Sequence, residues 1–526
     1  MSTLKQNNSN KSSAKIGLFS SVTILISAVV GIGIFFKNKS ILGNNNDDGW
    51  WVLVSWIIAI IITLTTALAF AEIISSDKKH NGSGLAGWAY KICGHKVGRF
   101  ILIVMPLFYF IFKLVDTSFF AGEAVLLIFN NPQVNSDGSI TITIQQSAYI
   151  IVLVAYAIMV IFIMINTFST KAAKGISWIA TVCKFTPLIL IGILGITFGA
   201  LDGFKQSFFN TASSNITTST KISDSRSMSD ISLGIFASLP ALLFTFDSFL
   251  TIGNAAVSME KPEKQVPKAI LIGIPVVAGI YLLVTIGQLL TGQRDVYTFF
   301  EYTVDKCGGG TNVKTAINIL VGCVIMLSLF GSINAMTIGA VRSIQAGIDS
   351  ENIMGATLFK KWGKNKPLRA GCLYGLTIGS IVCLLMAIPT IILNSDSVYD
   401  GVSNLPTLFF FVIYATVVMF GLINHYSHKV QVKRMKIYPI VAVISIIGCG
   451  FAFGYNLFYE FLGRCFTGNA NDAIVKWGMF KGQSIDRSIA SIIVWAAFII
   501  FMSLPFINDL CIAKIRHQHS QRLIWQ

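Results

Sequence analysis

Two short stretches combine residue types that a membrane-buried helix ordinarily avoids. The first is "SAVVGIGIFFKNKS", Ser27 to Ser40, with Gly31 and Gly33 one residue apart inside an apolar run. The second is "LPALLFTFDSFLTIGN", in which Asp247 is followed by Ser248, Thr251, Gly253 and Asn254. Glycine costs about 1 kcal/mol relative to alanine in a helix interior. Ser, Thr, Asp and Asn side chains compete with the backbone for its hydrogen bonds. A helix broken at such points leaves N–H and C=O groups unmade, and a bilayer tolerates these only where protein or a cavity meets them. The chemistry on offer is non-covalent. The start of a half-helix presents N–H groups to an anion, and unwound carbonyl oxygens accept from a cation. Small residues also let helices approach closely, a structural use that the glycines alone do not exclude.

Ionisable residues inside apolar runs form the second set. Lys184 lies in "ATVCKFTPLILI", and Lys113 and Asp116 stand three apart, with Glu123 seven residues beyond. Charges at such depth are costly and suggest function by default. The three-residue spacing puts Lys113 and Asp116 on one helix face, where they can neutralise each other as a structural pair, and Glu123 continues that face outward. Lys184 is about nine residues into its run, so it can also snorkel to the surface. Glu72 closes the second run and reads as structural. No His shows metal-ligand spacing, no G-x-x-x-x-G-K-[ST] loop is present, and no triad or acid pair at a common depth emerges. No enzyme activity, metal or cofactor is expected.

The elements that position these residues are membrane helices. Of 526 residues, 54% are apolar and only 12% charged, with a mean hydropathy of +0.69. Apolar runs of about 20 residues recur from end to end, the length that crosses a hydrocarbon core. Twelve spans are expected, near 16–37, 50–74, 99–130, 147–166, 176–200, 231–258, 268–292, 314–347, 369–393, 404–424, 437–460 and 487–510. A β-barrel would alternate over shorter strands, and that pattern is absent. With the N-terminus inside, about 27 Lys and Arg fall on the cytoplasmic side and about 12 outside. The net charge of +16 is therefore a topology signal, and no nucleic-acid partner is expected. The nine cysteines form no C-x-x-C pair, and Cys307 and Cys465 share the external side, where they could pair. The two disrupted spans, first and sixth, each begin a block of five. An odd number of spans inverts the second block, the inverted-repeat plan in which a solute sits where two broken helices meet.

These stretches resemble one family, the amino acid–polyamine–organocation permeases. "SAVVGIGIFF" is similar to its first-helix signature G-[SAI]-G-I-F, and "FTFDSFLTIGNAAVSMEKPEKQVPKAI" to its sixth helix and following loop. "SINAMTIGAVRSIQAGI", with Arg342, resembles its eighth helix, and "ALAFAEI" with "GSGLAGWAYKICG" the end of its second helix and the loop beyond. The resemblance covers about residues 15–430; the last two spans fit by count. One departure is that the family's usual acid falls where this chain has Val257 or Ser258, with Glu260 shifted.

The resemblance implies a polytopic all-α protein of the plasma membrane. It would have discontinuous helices 1 and 6, two extra C-terminal helices, and alternating access to an amino acid substrate. The N–H groups of Ile32, Gly33 and Ile34, beside Gly31, would hold the substrate carboxylate. The carbonyls of Val29, Phe244 and Asp247 would take its ammonium. An aromatic at Phe244, with Phe246 nearby, would close over it. Lys184 matches a lysine that fills a sodium ion's place in sodium-independent members, so it is expected to couple or gate, as are Lys113, Asp116 and Glu123. With Asp247, these charges could select a charged substrate. Protons are a possible co-substrate. The domain plan is a cytoplasmic tail (1–15), a five-helix repeat (16–200), an external loop (201–230), an inverted repeat (231–424), helices 11 and 12 (425–510) and a cytoplasmic tail (511–526). A sodium-coupled transporter of another small solute, or a transporter-like channel or nutrient sensor, stays open as an alternative.

Overall fold

The computed structural model describes residues 17–31, 33–45, 48–76, 84–129, 148–168, 170–202, 228–255, 259, 262–364, 366–393, 397–463 and 487–524. Ile32, Val257, Ser258, Glu260, Cys465 and most of the 201–230 loop lie outside these residues, and with Cys465 goes its pairing with Cys307. The described chain is nearly all helical. Eleven helices are long and apolar enough to cross a membrane, and a shorter apolar one, Leu233–Phe246, takes the sixth place in chain order.

We label the helices α1 (Leu18–Val29), α2 (Gly49–Ile74), α3 (Ile111–Phe129), α4 (Ala148–Phe168), α5 (Thr170–Leu201), α6 (Met228–Phe246), α7 (Pro262–Thr291), α8 (Thr311–Asp349), α9 (Pro367–Leu393), α10 (Asn404–Ser427), α11 (Tyr438–Gly454) and α12 (Arg487–Ile524). A helix at His95–Val104 and a wider π turn at Met105–Phe110 lead into α3, and a π segment at Tyr455–Gly463 extends α11. The α3 span is the most enclosed and α12 among the least. That ranking matches the exposed apolar side chains of α12, such as Ile492, Ile499 and Phe506. Five of these helices carry interior prolines, at Pro187, Pro240, Pro267, Pro275, Pro389 and Pro505. Membrane helices tolerate them because neighbouring groups satisfy the freed carbonyls.

Packing divides the helices into two groups. In one, α1 lies on α7 and α6 on α2, with α2 against α7. In the other, α3 packs on α4 and α8, α8 on α9, and α4 on α9. The α5 helix joins both, against α7 and α8. Beyond these groups, α10 packs on α11, and α11 on α2. Outside the spans, a short helix at Val296–Lys306 is capped by Asp295, whose side chain accepts from Thr298 N at 2.9 Å. It is clasped to the end of α5. Asp202 accepts from Lys306 Nζ at 2.7 Å and from the Tyr302 hydroxyl at 2.5 Å. Those bonds, Lys306 first, hold the Asp202 carboxyl below its ordinary range, and the Asp202 bond in turn raises the Lys306 ammonium.

Candidate functional site

The first span breaks where its glycines are. The α1 helix ends at Val29, and Val30 is extended with φ −71° and ψ 111°. The chain resumes as a π turn at Gly33–Lys37 and a helix at Asn38–Asn44. The sixth span breaks where its polar cluster is. The α6 helix ends at Phe246, and Ser248 takes the left-handed conformation at φ 73°. A 3₁₀ turn, Phe249–Thr251, and a short helix, Ile252–Ala255, follow. A non-glycine residue in that conformation is uncommon, and it marks a place where surrounding contacts over-determine the backbone.

The two breaks touch. A Cβ placed on Gly33 would lie 2.6 Å from Thr245 Cα, so only glycine lets the first span pass α6 this closely. From α7 the buried Tyr281 reaches the same junction. Its hydroxyl lies 3.1 Å from Thr245 O and 3.3 Å from Val29 O. The Val29 carbonyl belongs to the last turn of α1 and the Thr245 carbonyl to the last turn of α6, where intrahelical donors run out. One phenol thus ties both broken ends together.

Two lysines complete the junction. Lys184 is fully buried and does not snorkel: its Nζ donates to Ser27 O at 2.5 Å and to Ser332 Oγ at 2.9 Å. It therefore bridges α5, the last turns of α1, and α8. Gly31 faces the same serine, since a Cβ there would meet Ser332 Oγ at 2.7 Å. Lys113, on α3, lies 3.0 Å from Asp247 Oδ2, and both side chains are buried. The same oxygen accepts from the Thr407 hydroxyl of α10 at 2.7 Å. Lys113 Nζ also stands 3.5 Å from the centre of the Phe244 ring, a close cation–π contact. A second ammonium, Lys37, lies 5.0 Å from that ring and donates to Ser403 Oγ at 2.6 Å.

A profile of the family described as "Amino acid permease" matches residues 16–498. The chain belongs to the amino acid permease family. The permease is 22% identical over 456 residues to the serine/threonine exchanger SteT of Bacillus subtilis, covering 84% of this chain and 91% of that one. It is 24% identical over 299 residues to the arginine/ornithine antiporter ArcD2 of Lactococcus lactis, covering 53% and 54%. Its fold matches the crystal structure of MhsT in complex with L-phenylalanine. The TM-score is 0.55 at 13% identity, over 82% of this chain and 97% of that one.

Most residues singled out in the sequence gather at the junction of the permease. Val29, Gly31, Gly33, Ile34, Phe244, Asp247, Lys113 and Lys184 are buried there or one helix away; Ile32 lies outside the described residues. Phe246 does not join Phe244. Two helical positions apart, the rings point to opposite sides of α6, and Phe246 packs with Trp56 and Tyr281 at centroid distances of 5.9 and 5.4 Å. The Phe244 carbonyl is taken by Asp247 N at 3.2 Å. Asp116 is buried one turn from Lys113, and a second carboxylate, Asp247 from another helix, stands 3.0 Å from Lys113 Nζ. Glu123 lies in the C-terminal half of α3. There burial, together with the Glu123 carboxylate, raises the Tyr297 phenol well above its ordinary range. Sequence reasoning missed Tyr281, Ser332 and Thr407. It read Glu72 as structural, and in the permease that carboxylate contacts His425 Nδ1 at 2.8 Å and accepts from Met435 N at 2.8 Å.

Proposed function

We propose that this permease is a secondary transporter that carries amino acids across the plasma membrane by alternating access, independently of sodium. The observation that carries the reading is the meeting of the two helix breaks at Gly33 and Thr245, with the Val29 and Thr245 carbonyls turned to a shared donor. Such a junction offers N–H groups to a carboxylate and C=O groups to an ammonium within one small volume. The names of the exchanger and the antiporter support an amino acid as the substrate. Phe244, beside the break, covers the bound molecule.

Sodium independence rests on Lys184. A sodium ion at this junction would need oxygens such as Ser27 O and Ser332 Oγ, and the lysine ammonium already holds both. Transport is then driven by a proton gradient or by exchange. The contact pattern supports two inverted five-helix units, 16–200 and 231–424. The α1–α7 contact mirrors α6–α2, and the α3–α4 contact mirrors α8–α9. Rocking of α1, α2, α6 and α7 against α3, α4, α8 and α9 would open the junction to each side in turn. The basic loops support a cytoplasmic position for both termini.

Purified protein in liposomes tests this. Uptake of a panel of labelled amino acids is measured at two external pH values, with sodium or with choline. Saturable uptake of at least one amino acid, unchanged by choline, is expected. Uptake that collapses without sodium would refute the role given to Lys184, and no uptake or exchange of any amino acid would refute the function.

A further inference from the structure

We propose that Lys113 is a built-in occupant of the site's cation position and makes the permease reject amino acids with cationic side chains. The proposal rests on the permease reading above and adds a substrate class to it. Three features of the break in the sixth span would attract a cation. A carboxylate, Asp247, is buried at the break itself. An aromatic face, Phe244, stands one turn before it, and a buried cation on such a face gains more than an exposed one. The backbone around Ser248 leaves its regular helix, so the carboxylate is not screened by a continuous helical wall.

Lys113 takes all three. Its ammonium lies 3.0 Å from Asp247 Oδ2 and 3.5 Å from the Phe244 ring centre. Thr407 holds the same oxygen. The other oxygen, Asp247 Oδ1, is buried and receives no hydrogen bond from the described residues. Buried carboxylate oxygens are ordinarily hydrogen-bonded, and an exception calls for a ligand or water. The phenols of Tyr109 and Tyr414 stand beside the same carboxylate, so the position suits a neutral donor, while Lys113 already balances its charge. A second ammonium on the substrate side chain would meet Lys113, with Lys37 on the same ring, at a short distance in a poorly screened interior. A neutral zwitterion meets no such repulsion.

The test is competition for uptake in liposomes by neutral amino acids and by lysine, arginine and ornithine. Wild-type protein should be inhibited by the cationic set about tenfold or more less effectively than by its best neutral substrate, the size of discrimination that one charged contact ordinarily supplies. Lys113→Gln removes the occupant and leaves Asp247 and Phe244 in place. The ratio of cationic to neutral inhibition should then rise by about tenfold or more. Adding Asp247→Asn to Lys113→Gln should abolish that rise. Wild-type protein that takes up lysine or arginine as well as neutral amino acids overturns the proposal, as does an unchanged ratio in folded Lys113→Gln protein. If Lys113→Gln does not fold, the wild-type competition panel decides alone. Wild-type protein that carries no amino acid at all refutes the permease reading instead, so the two failures are separable.

Discussion

Replacing Gly33 with alanine should damage the site more than replacing Gly31, although both are glycines of the same motif. On Gly33 the new Cβ would stand 2.6 Å from Thr245 Cα and 2.8 Å from both Cβ and Cγ2 of that residue. Non-bonded carbons rest at about 3.5–4.0 Å, so the first span and α6 must part by about 1 Å. The nearest atom is backbone, so no rotamer change relieves the contact. Overpacking of this kind costs about 1–3 kcal/mol, which is about 5- to 150-fold in the population of the closed junction. On Gly31 the Cβ meets Ser332 Oγ at 2.7 Å, while Ser332 Cβ, at 3.5 Å, is an ordinary contact. The hydroxyl can turn away, at the expense of its bond to Lys184. Substrate-induced thermal stabilisation of purified protein, beside uptake in liposomes, separates loss of the junction from loss of the fold. Gly33→Ala should weaken substrate stabilisation by at least about fivefold in apparent affinity. Gly31→Ala should retain more than Gly33→Ala. Thr245→Ala should not rescue Gly33→Ala, because Thr245 Cα remains. Wild-type binding by Gly33→Ala, or a Gly31→Ala defect larger than that of Gly33→Ala, would refute the close-contact argument.

Tyr281→Phe removes one hydroxyl and leaves the Val29 and Thr245 carbonyls without it. A loss of about 1–3 kcal/mol in protein stability or in substrate affinity is expected, measured by thermal unfolding with and without substrate. Glu72→Ala removes the acceptor of Met435 N and the partner of His425, and hydrogen exchange should quicken in segment 428–437 ahead of α11. The Asp202–Lys306 clasp predicts a pH profile for hydrogen exchange in Val296–Lys306. The Asp202 carboxyl is held low in the folded protein, so its contribution is present above its ordinary value of about 3.9 and lost as pH falls through the lowered one. The Lys306 ammonium is held high, so its contribution persists below about 10.4 and is lost only as pH rises past the raised value. Protection should be flat from about pH 5 to about pH 9 and fall only under stronger acid, and Asp202→Asn should remove the acid limb.

The breaks were legible because they violate the rules of a membrane helix. Glycines at 31 and 33, and an acid followed by a hydroxyl residue at 247 and 248, weaken a helix in an apolar run where leucine or alanine would sustain it. Lys184 was legible for the same reason. Tyr281 was not. It sits in "GIYLLVTIGQ", an ordinary apolar helix, and nothing in its neighbourhood reveals that its hydroxyl ends between two carbonyls of other spans. One neighbour of Lys113 was hidden too. Sequence spacing reaches residues within one helix, so it offered Asp116, and Asp247, over a hundred residues away, meets the lysine from across the fold. Likewise Phe244 and Phe246 look alike in the string "FTF", and only the 100° turn of each helical step sends their rings apart. The link from Glu72 to His425 spans 353 positions, beyond any local pattern.

The phenol at position 281 has a single proton to share between two acceptors. At any instant one broken helix end receives it, and the carbonyl of the other is not engaged by that proton. On the reading proposed above, an arriving ammonium would compete with the tyrosine for these two oxygens, and the hydroxyl would keep its hold on one end of the chain while the other is taken.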